Sequence, residues 1–158
     1  MSTLYVDNLQ PNLGSRVLAA GHVVQVVQGI KDTGYGSTTS SSFVDTGLSV
    51  TITPTNASSK ILVIHSGNFN TQTAGNWADL TLYRDISSTL THLGNTNGFN
   101  GLYANSDTHV SSSINYLDSP STTSAIVYRI YIAARNSSNV RFNPDGHRTT
   151  LIAMEIAQ

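Results

Sequence analysis

The chain has 158 residues, a formal net charge of −1 and only 11% charged residues, well under the roughly 25% typical of globular domains. Without a run of Lys or Arg to neutralise phosphates, it is not expected to bind nucleic acid. The longest apolar stretch, residues 17–30, contains His22 and two Gln and is too short to span a bilayer, so membrane insertion is not expected either.

The composition favours strands over helices. Ser, Thr and Asn make up about a third of the chain, and Glu155 is its only Glu. There is no Cys, which excludes disulfides and Cys-based metal or redox sites and suits folding in a reducing cytosol. The length fits one domain with a short appendage, and no cofactor is expected.

The first 21 residues differ in pattern from the rest. Leu4 and Val6 alternate with polar residues, and Pro11 and Gly14 then interrupt the chain. We therefore predict an extended N-terminal arm over residues 1–21 and a head domain over residues 22–158.

Period-two alternation dominates the head domain. In residues 48–52, Leu and Val or Ile fall on one face and Ser and Thr on the other, and residues 110–116, 126–132 and 152–156 repeat this arrangement. Such alternation is typical of half-buried strands, with one face toward a core.

Residues 60–65 (KILVIH) are apolar on both faces. A single sheet with one wet face does not accommodate this, whereas a sandwich interior combined with a subunit interface does. We therefore predict that copies of the chain associate, with Ile61, Val63 and His65 at the interface between them; together with the family resemblance given below, this predicts a homotrimer.

Turn residues separate about nine strand candidates. Residues 143–146 (NPDG) are expected to join residues 140–142 to residues 151–156 as a hairpin, and residues 34–42 (GYGSTTSSS) are expected to form a flexible loop or a hairpin tip. With no helical crossover, an antiparallel, all-β sandwich of jelly-roll type follows.

No catalytic set is recognisable, so the chain is not expected to be an enzyme. Neither a nucleophile elbow nor a phosphate-binding loop occurs, and the five His lack ligand spacing. Two alternatives stay open: His65 or His109 could meet its copies on a threefold axis, and distant carboxylates such as Asp79, Asp107 or Glu155 could form a glycosidase pair.

The stretch from residue 94 to residue 107 is rich in Asn, Gly and aromatic residues. Amides that hydrogen-bond sugar hydroxyls, combined with rings that stack on sugars, suit glycan recognition. The alternative is a long structural loop whose aromatic side chains pack against the end of the fold. The candidate receptor contacts are Trp77, Asn97, Phe99, Asn100 and Tyr103.

Several segments in order along the chain resemble small virion proteins of tailed phages, particularly cyanobacterial and marine ones. They are residues 2–10 (STLYVDNLQ), 21–28 (GHVVQVVQ), 43–54 (FVDTGLSVTITP), 58–63 (SSKILV), 116–120 (YLDSP) and 151–156 (LIAMEI). The region from residue 70 to residue 110 is mainly left out.

The resemblance implies a trimeric β-sandwich head without enzymatic activity, located in the virion and made in the bacterial host cytoplasm. Its arm would dock onto baseplate, tail or upstream fibre proteins, with Leu4, Val6 and Leu9 as contacts. A short tail fibre that binds a host-surface glycan is the first expectation. A capsid decoration protein without receptor binding is the alternative, and a virion-associated glycan hydrolase comes last.

Overall fold

A computed structural model describes residues 19–34, 36–72 and 74–158, and within these ranges the chain forms strands and no helix. None of the described residues therefore belongs to a helix long and apolar enough to cross a membrane. The strands are β1 (Val23–Lys31), β2 (Gly36–Thr38), β3 (Val44–Ile52), β4 (Lys60–Thr71), β5 (Asn76–Ile86), β6 (Thr89–His92), β7 (Asn100–Ala104), β8 (Thr108–Asp118), β9 (Ile126–Ala134), β10 (Val140–Phe142) and β11 (Thr149–Ile156).

The strands make two antiparallel sheets that pack as a sandwich. Sheet A runs β1-β11-β4-β8, with short β10 and β2 continuing beside the far half of β4, and sheet B runs β3-β9-β5 with β6 and β7 sharing the last position. If each short strand is grouped with a neighbouring strand, eight strand positions remain. Numbered along the chain, these positions lie in the order 1-8-3-6 across sheet A and 2-7-4-5 across sheet B. That order is a jelly roll of two Greek keys, which confirms the predicted fold class.

The predicted alternation places the core correctly in β3 and β9 but not in β11. There, Ile152, Met154 and Ile156 face outward, while Leu151, Ala153 and Glu155 face the core. Leu48, Val50 and Ile52 of β3 are buried, while the residues between them point outward. In β9, the inward residues from Ile126 to Ile132 are at most 1% exposed. Both strands contribute to one apolar core between the sheets.

A buried charge cluster links the two sheets across this core. Arg84 of β5 donates hydrogen bonds of 2.8 and 3.0 Å to Asp118 of β8, and the Tyr128 hydroxyl of β9 donates one of 2.7 Å to the same carboxylate. Burial, followed by the proximity of Asp118, raises the pKa of Tyr128, which keeps the phenol protonated. The carboxylate is thus compensated by a cation and a hydroxyl, as a buried charge requires.

The predicted hairpin through residues 143–146 is wrong. The turn itself forms, with the Gly146 N–H donating to the Asn143 carbonyl at 3.2 Å. However, β10 and β11 both pair antiparallel with β4, so they run in the same direction and occupy successive halves of that strand. Local turn chemistry could not reveal that β4 is long enough to accept both.

Two segments predicted as loops contain strands. Residues 36–38 of the Ser- and Thr-rich tract form β2, which pairs with β10, and residues 100–104 form β7, which pairs with β5. Neither strand shows a clear apolar alternation of its own. Their extended backbone is selected by hydrogen bonds to partner strands.

The predicted arm contacts Leu4, Val6 and Leu9 lie outside the described residues. The described chain begins beside the C-terminal strand, where the Gly21 N–H donates to the Ala157 carbonyl at 2.8 Å.

Candidate functional site

The outer face of sheet B carries an exposed aromatic pair. Trp77 and Tyr103 are direct cross-strand partners on β5 and β7, with ring centroids 5.1 Å apart and planes inclined by 46°. Their side chains are 38% and 49% exposed. The structure therefore brings together two of the predicted receptor contacts, on adjacent strands rather than on a free loop.

Arg135 and Asp79 hold this pair in place. The guanidinium carbon of Arg135 lies 4.7 Å from the centre of the Trp77 ring, a cation–π distance. The same guanidinium donates hydrogen bonds of 2.6 and 2.7 Å to the buried carboxylate of Asp79, which raises the pKa of Arg135. We call Trp77, Tyr103, Arg135 and Asp79 the aromatic platform. Because its two charges are paired, it suits an uncharged ligand.

The other three predicted contacts do not join the platform. Phe99 is half-buried and packs edge-to-face on Tyr116, with ring centroids 5.5 Å apart. The Asn100 amide donates to the Ser113 carbonyl at 2.9 Å, which ties β7 to β8. Asn97 is exposed at the tip of the β6–β7 connection, where its N–H is capped by Asn95. For Phe99 and Asn100, the alternative of a structural role fits the contacts.

A second aromatic group lies farther along the outer face of sheet B. The ring of Tyr83 stacks on that of His92, with centroids 4.7 Å apart, and its centroid lies 4.3 Å from that of Tyr131. The ring centroids of Phe43 and His92 are 5.2 Å apart. Burial raises the pKa values of Tyr83 and Tyr131 and lowers that of His92. These residues belong to four separate segments of the sequence, so only the sheet order brings them together.

The outer face of sheet A is apolar across four strands. Val26, Met154, Leu62 and Leu117 are successive register partners on β1, β11, β4 and β8. Val26 is 55% exposed and Leu117 is 50% exposed, and the two between them are half-buried. One uninterrupted row of aliphatic side chains therefore crosses the whole sheet.

Further aliphatic residues extend this row on both sides. On one side of the row, Ile152 and Ile64 are register partners, two residues along from Met154 and Leu62. On the other side, Ile156 and Val23 are register partners. We call the eight residues the apolar face: Val23, Val26, Leu62, Ile64, Leu117, Ile152, Met154 and Ile156. Large contiguous apolar patches are rare on monomeric proteins and mark interaction surfaces.

The structure corrects the residues predicted for the trimer interface. Ile61, Val63 and His65 are fully buried between the sheets of a single chain, so their side chains are not available to another copy. The sequence pattern correctly predicts that β4 is apolar on both faces. The face predicted to contact another copy is, however, the one that points into the core. The outward residues of the same run, Leu62 and Ile64, belong to the apolar face.

His65 is a core histidine. Its Nδ1–H donates to the Thr150 carbonyl at 3.1 Å, so its Nε2 accepts from the Ser112 hydroxyl at 3.2 Å. Burial lowers the pKa of His65 to about 4, despite the Thr150 hydrogen bond that acts in the opposite direction. His65 is therefore neutral at pH 7. Because it is fully buried within one chain, it cannot meet its copies on a threefold axis.

His109 has a different environment, at the surface. Its Nδ1 lies 3.0 Å from the Asp145 carboxylate and its Nε2 lies 3.4 Å from that of Asp107. Asn70 donates to Asp107 at 2.8 Å. In the described part of the chain, no group of three or more His, Asp or Glu is arranged to hold a metal ion.

The three carboxylates considered for glycoside hydrolysis have separate partners. Asp79 pairs with Arg135, and Asp107 is held by Asn70 and His109. Glu155 is fully buried and accepts hydrogen bonds from the Gln25 amide at 2.6 Å and from the Thr55 N–H and hydroxyl at 2.8 Å. Burial would raise the pKa of Glu155, but these hydrogen bonds outweigh it and hold the pKa below its usual value. Its contacts are those of a structural anchor.

Comparison with known proteins finds likeness in structure alone. No protein-family profile matches the sequence, and no curated protein matches it. A chain in a structure of the Gx strain of infectious bursal disease virus matches with a TM-score of 0.51 and 14% identity, over 98% of this chain and 42% of that one. The likeness shows a shared fold.

A chain of the T13 particle of the same virus matches at a TM-score of 0.49 and 14% identity, over 96% of this chain and 40% of that chain. The present chain thus spans less than half the length of the viral chains that it matches.

Proposed function

We propose that the chain is a virion structural protein that assembles as a homotrimer through the apolar face. The continuous aliphatic row from Val26 to Leu117 is the observation that carries the proposal, because a side of the fold left apolar over four strands needs a partner to cover it. The jelly roll shared with a chain of a virus structure supports a place in a virus particle.

Within the particle, the proposed position is a short tail fibre. Residues 1–21 dock on baseplate, tail or upstream fibre proteins, as the resemblance to tailed-phage proteins implies. The aromatic platform then contacts a glycan on the host surface. Trp77 and Tyr103 offer ring faces for the apolar side of a sugar, and the Asp79–Arg135 pair fixes the geometry before the ligand arrives.

A capsid decoration protein is the second candidate. The observation that favours it is the fold match to a chain in a structure of a virus particle, over almost the whole of the present chain. This function requires trimer assembly and docking but no ligand for the platform. Neither candidate involves catalysis, and Glu155, the most buried of the candidate carboxylates, is engaged by Gln25 and Thr55.

The experiment that separates these candidates uses phage particles carrying a Trp77→Ala/Tyr103→Ala double variant. Leu90→Ala is the matched control, since Leu90 is 47% exposed on the same sheet but outside the platform. A tail fibre predicts label at the tail, normal incorporation of both variants and reduced host adsorption for the double variant alone. Normal adsorption together with label on the capsid would support decoration and contradict the host-binding role.

A further inference from the structure

Four polar side chains converge at the end of sheet A that lies away from the apolar face. Asn70 of β4 and His109 of β8 are direct register partners. Asp107 lies just before β8, and Asp145 lies in the turn between β10 and β11. The Asn70 amide nitrogen is 2.8 Å from one Asp107 carboxylate oxygen and 3.1 Å from His109 Nε2, and those last two atoms are 3.4 Å apart.

These three atoms form a triangle with the dimensions of the ligands around one metal ion. Nitrogen and oxygen ligands bind Zn²⁺ at roughly 2.0–2.2 Å, so two neighbouring ligands lie about 3.0 Å apart in an octahedron and about 3.4 Å apart in a tetrahedron. The sides of the triangle fall close to this range. An ion slightly above its centre would lie about 2 Å from each corner.

Asp145 determines which ring nitrogen of His109 faces the triangle with a lone pair. The Asp145 carboxylate lies 3.0 Å from Nδ1, so the neutral imidazole carries its proton on Nδ1 and donates it to Asp145. Nε2 then points its lone pair toward the Asp107 oxygen. Two electron-pair donors that face each other at 3.4 Å favour a cation between them. A carboxylate behind a ligating imidazole is also the common arrangement in metal sites, because it fixes the tautomer and makes the ligand more basic.

Asn70 occupies the third corner of the triangle. The residue is 1% exposed, and its side-chain oxygen has no hydrogen-bond partner within the described part of the chain. A half-turn of the amide group exchanges this oxygen with the nitrogen, so the oxygen then faces Asp107 and His109. The oxygen gives up no hydrogen bond when it moves. Without an ion the exchange is unfavourable, because three acceptors would then face one another, so it is coupled to the binding of a cation.

The triangle can be reached from solvent through its two charged or ionisable members. The side chains of Asp107 and His109 are 53% and 41% exposed, so an ion can enter between them without crossing the core. Arg141 of β10 is the register partner of Asn70 on the other side, and the carboxylates of Asp107 and Asp145 together outweigh its single positive charge.

We propose that Asp107, His109 and Asn70 bind a divalent transition-metal ion, with Zn²⁺ as the best match, and that Asp145 positions the imidazole. One imidazole nitrogen and two oxygens, with the remaining positions left to water, suit Zn²⁺. Ca²⁺ and Mg²⁺ prefer oxygen ligands alone. The bound ion joins the connection between β7 and β8 to strand β4.

The site is separate from the surfaces of the proposed function. Asn70 lies eight residues along β4 from Leu62 of the apolar face, a distance of about 26 Å in an extended strand. The aromatic platform lies on sheet B. Metal binding can therefore be tested whether or not the proposed assembly and host binding hold.

The test is isothermal titration calorimetry of the full chain, without an affinity tag, with zinc chloride. We expect one Zn²⁺ per chain with a dissociation constant on the order of 10 µM, because three protein ligands are available. Calcium chloride and magnesium chloride should bind at least about tenfold more weakly. Zinc should also raise the midpoint of thermal unfolding, since the site exists only in the folded chain.

Variants assign the ion to its two exposed ligands. His109→Ala and Asp107→Asn should each weaken zinc binding by about tenfold or more. His22→Ala is the matched control, because His22 is also an exposed histidine but lies beside Ala157 at the opposite end of sheet A. This control should bind zinc as the wild type does.

Two further variants test the roles given to Asn70 and Asp145. Asn70→Leu removes the third ligand and should weaken zinc binding by about tenfold, whereas Asn70→Asp supplies a carboxylate and should strengthen it. Asp145→Ala should weaken binding by about tenfold and shift the ¹⁵N signals of the His109 ring from the Nδ1–H tautomer toward a mixture of tautomers. A purely structural role of Asp145 would leave those ring signals unchanged.

Four results would overturn the proposal. Calcium binding as tight as zinc binding would indicate a simple acidic site, and one zinc per three chains would place the ion between copies. Zinc affinity that is unchanged in His109→Ala would place the ion elsewhere. The absence of saturable zinc binding to the folded chain would exclude the site. Thermal unfolding of each variant without metal identifies any loss of binding that comes from loss of the fold.

Discussion

Arg135 binds the buried carboxylate of Asp79 through two hydrogen bonds of 2.6 and 2.7 Å while it lies over the ring of Trp77. The substitution Arg135→Gln leaves Asp79, 3% exposed, without its cation. We expect the free energy of unfolding to fall by about 2 kcal/mol, measured by urea denaturation. Arg129→Gln removes an exposed ion pair on the same sheet and should cost under about 1 kcal/mol. Equal losses in the two variants would contradict the anchoring role of Arg135.

Phe99 and Tyr103 should differ in what they stabilise. Phe99 packs against the core and Tyr116, so Phe99→Ala should lower the free energy of unfolding by about 2 kcal/mol. Tyr103 is half exposed, and Tyr103→Ala should change it by less than about 1 kcal/mol. Denaturant unfolding of both variants checks this. A larger loss for Tyr103→Ala than for Phe99→Ala would contradict the structural role given to Phe99.

His65 should make the fold sensitive to mild acid. In the unfolded chain its pKa is close to 6.5, whereas burial lowers it to about 4 in the folded chain, so below pH 6.5 the unfolded state binds a proton that the folded state does not. Stability contributed by neutral His65 is present above pH 6.5 and is lost as the pH falls toward 4, by up to about 3 kcal/mol. The measurement is the unfolding free energy across this window for the wild-type chain and His65→Gln. The variant should show a flatter slope, and identical slopes would refute the assignment.

Glu155 should act in a lower pH range. Because hydrogen bonds hold its pKa below the usual 4.5, its stabilising contribution is present above that pH and is lost as the pH falls further. In Glu155→Gln, an amide group faces the Gln25 and Thr55 donors, and we expect a loss of about 2 kcal/mol at pH 7. Thermal unfolding at pH 7 and pH 3.5 tests both parts. The difference between the variant and the wild type should shrink at the lower pH, and a constant difference would argue against an ionised Glu155.

The sequence predicts the fold class well because the core strands obey a local rule. Residues 48–52 and 126–132 alternate with period two, and that period depends only on the extended backbone of the segment itself. The same rule identified the apolar character of both faces of residues 60–65. It does not tell which face is inside, because that depends on the strands that pack above it.

The features that were missed depend on pairings between distant segments. Arg135 reaches Asp79 because β9 lies beside β5, and β10 and β11 run in the same direction because both pair with β4. The apolar face is distributed over four strands, with one to three outward residues on each, and no single segment shows that these residues lie side by side. All three features follow from the order of strands in the sheets, which local sequence patterns do not reveal.

The apolar face carries the proposed assembly, and sedimentation velocity of the full chain tests that assembly directly. At micromolar concentration the wild-type chain should sediment as a trimer of the 16.9 kDa protomer. Val26→Asp/Leu117→Asp places charges at two exposed positions of the face and should sediment as a folded monomer, whereas Leu90→Asp, at an equally exposed leucine of sheet B, should remain trimeric. A wild-type chain that is a folded monomer, or a double variant that remains trimeric, would contradict the account.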